Sequence, residues 1–86
     1  FSGELVEVEI LFTGRSARII KLGKHHPGEV IIAVDDHQIR YKATVRGIEE
    51  IGRWLLGFGG EATVVKPLSL AAELRRQAEA ILKNYK

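Results

Sequence analysis

Three groups of residues in this sequence carry side chains that could do chemistry. Asp35-Asp36-His37 sets two carboxyls beside an imidazole, the raw material of acid–base work. His25-His26 sets two possible metal donors side by side. Arg15, Arg18, Lys21 and Lys24, running into His25, form a basic stretch without an internal acid, and Arg40, Lys42 and Arg46 form a second one. Such runs are what a polyanion-binding surface needs, because contacts to phosphates are mainly electrostatic.

Each group also has a plainer reading. Asp-Asp is favoured in a hairpin turn, and no nucleophile stands in a partner motif. An acylphosphatase-like enzyme would need an arginine-bearing phosphate loop after the first strand. Thr13-Gly14-Arg15 only faintly suggests one, and the matching asparagine is absent from the third strand. No enzymatic activity is therefore expected. Adjacent histidines seldom reach one ion together, and no second donor pair stands at a suitable spacing, so neither metal nor cofactor is expected. The Arg15–Lys24 stretch can be a solvated helix face whose cations near the C-terminal end offset the helix dipole. Arg40, Lys42 and Thr44 share a strand face with a nucleic-acid platform in outline, but base stacking needs aromatics there. Tyr41 alternates to the other face, while Glu7 and Glu9 come opposite the cations, where cross-strand pairing is favourable.

The elements that must position these groups follow from periodicity. Leu5 to Phe12 alternates, with Val6, Val8, Ile10 and Phe12 on one side and Leu5, Glu7, Glu9 and Leu11 on the other. Thr13 is the expected N-cap of a helix reaching about Leu22, with Ala17 and Ile20 as its buried pair. Gly23 stops it, and His25-His26-Pro27-Gly28 forms a loop. Val30 to Val34 is a second strand, apolar on both faces, and Asp35 to Gln38 turns the chain. Ile39 to Arg46 returns as a third strand. Ile48, Ile51, Leu55 and Phe58 share a helical face, Gly59 and Gly60 stop that helix, and Ala62 to Val65 is a short β-branched strand. Ser69 is the expected N-cap of a last helix, with the stripe Leu70, Leu74, Ala78, Ile81, Tyr85 and an outer Glu79–Lys83 pair.

The order is β-α-β-β-α-β-α. Its first six elements predict an α+β, ferredoxin-like βαββαβ antiparallel sheet with two helices on one face, strand order 4-1-3-2, and an extra C-terminal helix. The 86 residues make a single domain. Its core is marginal without a partner or very regular packing. At 45% hydrophobic and 28% charged, the composition is that of an ordinary folded domain. The absence of cysteine excludes disulfides and thiolate metal sites and fits a reducing compartment. No apolar run approaches the ~20 residues of a membrane helix. The chain opens on Phe1 and lacks methionine, which reads as a C-terminal fragment of a longer protein.

The run Trp54-Leu55-Leu56-Gly57-Phe58-Gly59-Gly60-Glu61-Ala62-Thr63-Val64-Val65-Lys66-Pro67, followed by a Leu/Glu/Arg/Ala-rich segment ending near Tyr85, carries a family likeness. It resembles the C-terminal extension (WCX) domain of the WYL-domain helix-turn-helix transcriptional regulators. Ala17-Arg18-Ile19-Ile20 and His26-Pro27 extend the resemblance upstream, the latter as a structural His-Pro turn. The Trp, Tyr and Leu that name the WYL core are not present as a motif. The resemblance implies a non-catalytic, cytoplasmic regulatory and dimerisation module, with WYL and DNA-binding domains elsewhere in the parent chain. It also implies help in sensing an effector that includes single-stranded nucleic acid. The alternative is a free-standing ferredoxin-like module that binds a small ligand or RNA.

Two sets of contact residues follow. Arg15, Arg18, Lys21, Lys24, His25, Arg40 and Lys42 are the candidates for nucleic acid. A homodimer is expected because Val30, Ile31, Ile32 and Val34 put apolar side chains on both faces of an edge strand, which proteins normally cover. Ile32, Trp54, Leu74, Ile81 and Tyr85 are the candidate interface residues. Trp54, beside its helix's apolar stripe, suits either a core edge or an interface anchor.

Overall fold

The computed structural model describes residues 4–85. Its elements are β1 (Leu5–Thr13), α1 (Gly14–Lys21), β2 (Val30–Asp35), β3 (Gln38–Arg46), α2 (Glu49–Leu56), β4 (Ala62–Lys66) and α3 (Leu68–Lys83), with one 3-10 turn at Gly59–Glu61 before β4. This is an α+β architecture of one four-stranded antiparallel sheet and three helices. The sheet runs β2-β3-β1-β4, with every neighbouring pair antiparallel.

The alternation along β1 decides which face of the sheet is covered. Val8, Ile10 and Phe12 are buried, and they meet Ala43, Tyr41 and Ile39 of β3 in register. Ala17 and Ile20 of α1, Ile51 and Leu55 of α2 and Leu70 of α3 close over them in one core. Phe12 lies at its aromatic centre, edge-on to Tyr41 at 5.8 Å and to Phe58 at 5.1 Å, an arrangement that ring quadrupoles favour over face-to-face stacking.

The opposite face carries Leu5, Glu7, Glu9 and Leu11, flanked by Arg40, Lys42 and Thr44 of β3. Val30 and Ile32 of β2 share this face, because they register with Lys42 and Arg40, and both are exposed. Glu9 is the exception on this face, being only 8% exposed. Its carboxylate is paired with Arg40 Nε at 3.2 Å and its register partner is Lys42. Of the cross-strand charge pairing read from the sequence, the Glu9 part is present, while Glu7 comes opposite Thr44.

Two local expectations needed correction. The last helix starts at Leu68, with Pro67 as its N-cap, and Ser69 lies inside the first turn. The N–H groups of Leu70 and Ala71 donate to the Pro67 carbonyl, so no side-chain cap is used. Proline supplies the extended conformation that an N-cap requires, which the preference for a hydroxyl at that position did not anticipate. The ion pair of Glu79 is made with Arg75, one turn earlier, in place of Lys83. The helix α3 leaves the open sheet face uncovered. It packs on β4 and against α2, with Leu70 in the helix-side core.

Candidate functional site

Two carboxylates that sequence reasoning passed over organise the polar structure. Glu61, in the 3-10 turn, reaches the N-terminus of α1. Its Oε1 accepts from the Ser16 N–H at 3.0 Å and the Ser16 hydroxyl at 2.6 Å. Thr13 stands at the N-cap as expected but makes no side-chain cap bond. Glu61 therefore caps the helix from 45 residues away in sequence. An anion there satisfies donors that the first helical turn leaves open and complements the dipole. The Ser16 hydroxyl first, then the backbone donors and Arg15, hold the Glu61 carboxyl below its ordinary range. Gly14 makes the approach possible. It sits at φ +63°, and a Cβ there would come within 2.6 Å of Glu61 Oε2.

Glu29 does the same work for the His25–Gly28 loop. Its Oε1 accepts from the N–H of His25 at 2.8 Å, the N–H of His26 at 3.0 Å and the Tyr41 hydroxyl at 2.6 Å. His26 Nδ1 is 3.0 Å from the Tyr41 oxygen, and since that hydroxyl gives its proton to Glu29, it accepts from the imidazole. The His25 Nε2–H points at the Ile20 carbonyl, 3.2 Å away. Desolvation pushes the Glu29 carboxyl up, but bonds from Tyr41, His25 and His26 outweigh it and leave it below its usual value. Burial, and then the bond to Glu29, push the Tyr41 phenol far above its own.

Trp54 lies over this network. Its ring is 4.8 Å from that of His26, 5.6 Å from His25, 5.7 Å from Tyr41 and 5.1 Å from Phe58. Trp54 is half-buried and packs at the edge of the core. The His-Pro turn is likewise structural, fastened to sheet and helix by imidazole and backbone bonds.

The nucleic-acid candidates are split by the sheet. Arg15, Arg18 and Lys21 are on α1, on the covered side, and Lys24 is exposed in the loop that follows. Arg40 and Lys42 alternate onto the opposite face, and Arg40 is committed to Glu9. His25 is turned inward. The structure brings together at most the α1 set with Lys24.

The interface candidates are divided as well. Ile32 is on β2, at one edge of the sheet, whereas Leu74, Ile81 and Tyr85 are on or just beyond α3, beside β4 at the other. The α3 stripe begins fully buried at Leu70 and is half-buried at Leu74. It then leaves the fold, with Ile81 48%, Leu82 55% and Tyr85 83% exposed. Beside it runs an apolar groove of about 430 Å³ between α3, the end of α2 and β4.

Among the described residues no cluster of three or more His, Cys, Asp or Glu is arranged to hold a metal, and no helix is long and apolar enough to cross a membrane. The fold and the site define a small α+β domain whose central carboxylates, imidazoles and phenol fasten its own loops and helix ends, and whose apolar surplus lies at its margins. The model of the WCX domain family matches residues 4–82, and the chain belongs to that family. No curated protein matches it.

Proposed function

We propose that this chain is the C-terminal extension of a WYL-type helix-turn-helix transcriptional regulator. On this reading it serves as a non-catalytic module that dimerises and relays the regulatory state of the parent protein in the cytoplasm. Membership of the WCX family supports the regulatory class. The element order and the β2-β3-β1-β4 sheet support a ferredoxin-like arrangement to which α3 is appended. The non-catalytic reading is supported by chemistry: Glu29, Tyr41, His25, His26 and Glu61 are each bonded to structural partners within the fold.

The observation that carries dimerisation is the apolar surface at the two sheet margins. Val30, Ile32 and Val34 are exposed at β2, and Ile81, Leu82 and Tyr85 at α3. A small domain with contiguous exposed apolar groups commonly uses them for association, and a two-fold dimer is the most frequent outcome. Sedimentation equilibrium across a wide protein concentration range tests the reading. A mass that rises from one chain to two is the expected result, and a single-chain mass throughout would overturn it.

A further inference from the structure

We infer that the dimer forms through the groove beside α3, each copy seating the distal half of its own α3 in the groove of the other. This rests on the dimerisation reading above and names its surface. Three observations favour this margin over the β2 edge.

The first is continuity. The stripe that anchors α3 at Leu70 and Leu74 runs on through Ala78 and Ile81 without a change in character, so the exposed part extends a packed surface. The groove beside it is lined by Leu55, Leu56 and Ala62 on one side and by Leu74, Ala78 and Ile81 on the other. An α-helix with an apolar stripe can lie between these walls, as amphipathic helices do in grooves generally.

The second is size. Ala78 is the smallest side chain in the middle of the exposed stripe, with Leu74 before it and Ile81 and Leu82 after it. A two-fold axis at Ala78 sets Leu74 of one copy level with Leu82 of the other. The bulky residues then fall to either side of a close contact, and helix axes can approach to about 8 Å.

The third is charge. Arg75 and Glu79 flank the stripe on one side, one turn apart and highly exposed, and pair with each other at 3.5 Å. About a dyad at Ala78, Glu79 of the second copy stands level with residue 77. That is about 3 Å along the axis from Arg75, at ~1.5 Å of rise per residue. Each Arg75 can then reach the Glu79 of the other copy as well as its own, so the flank is self-complementary. On β2 the open-face neighbours of Val30 and Ile32 are the cations Lys42 and Arg40, and the acid of β2, Asp35, stands apart from them at the strand's end, opposite Gln38.

Charge exchange provides the test. Arg75→Glu and Glu79→Arg are prepared separately, with circular dichroism confirming that each folds. Each alone should dimerise on the order of tenfold more weakly than the parent, because like charges meet across the axis. Mixing the two should restore association as a mixed dimer. The carboxylate introduced in one copy then faces the guanidinium introduced in the other, a rescue that loss of the pair within one helix cannot produce. Ala78→Glu, at the dyad, should abolish association. If the parent dimerises but all three variants and the mixture match it, the dimer uses another surface and this inference fails alone. If the parent itself remains a single chain at every concentration, the dimerisation reading fails first.

Discussion

Replacing Leu70 by alanine measures how firmly the final helix is tied to the domain. Leu70 is fully buried in the common core, the most C-terminal residue there, and its Cδ1 lies against Gly52 of α2. Truncation removes three carbons, worth about 2.4 kcal/mol at ~0.8 kcal/mol each. The cavity left between α3, α2 and the sheet adds to this, giving a total in the range of about 2–5 kcal/mol. A domain of this length has a total stability of roughly 4–13 kcal/mol, so Leu70→Ala consumes a large share. With each kcal/mol worth about 4–8 °C, a fall in Tm of roughly 8–40 °C is expected. Ile81→Ala is the control. Its side chain is half exposed beyond the sheet, and at low protein concentration it should cost less than about 0.5 kcal/mol, as exposed sites do. Both values come from urea denaturation followed by circular dichroism, with the concentration kept low to favour single chains. Equal costs at the two positions, or a loss under about 1 kcal/mol at Leu70, would refute the view that α3 is anchored by its first two turns alone.

Other outcomes follow from the same geometry. Gly52→Ala should stabilise the domain by about 0.5–1 kcal/mol in thermal melts, because glycine is a poor helix residue. The added Cβ would meet Leu70 at 3.6 Å, an ordinary contact. Gly14→Ala should destabilise by at least about 1–2 kcal/mol, the cost of a left-handed backbone for an L-residue, and should disturb the Glu61 cap as well. Glu29 and Glu61 both have folded-state pKa values below the ordinary 4.5, so their contribution is present above that value and is lost as pH falls through and below it. Denaturation midpoints should therefore drop between neutral pH and pH ~3, and Glu29→Gln should flatten the curve. Single-stranded DNA should bind weakly, with a log–log salt slope of about −2 if Arg15, Arg18 and Lys21 contact phosphates. Arg15→Glu with Arg18→Glu should reduce it, and a salt-independent affinity would contradict phosphate contacts.

The strands were legible because their side chains obey a simple rule. Leu5 to Phe12 and Ile39 to Arg46 alternate with a period of two, and Val8, Ile10, Phe12, Ile39, Tyr41 and Ala43 are buried as that period demands. The helix faces at Ala17, Ile20, Ile51 and Leu55 were readable for the same reason at the helical period. What the sequence hid was long-range polar bonding. Thr13 looked like a cap because local preference favours it, but the bonding group is Glu61, brought near only when β4 pairs with β1. Glu29 was nearer to hand, since an acid three residues after His26 can reach back to its N–H. The extent of the last helix's stripe was plain, yet where it leaves the core depends on how far β4 and α2 reach beside it, which no local pattern encodes.

On the proposed reading, the domain holds two chains together. Sedimentation equilibrium of the unaltered chain tests it most directly, from concentrations where any dimer dissociates to the highest that stays in solution. The expected result is a mass rising smoothly to that of two chains, because a two-fold contact between like surfaces closes at two copies. A mass that stays at one chain across the whole range would contradict it.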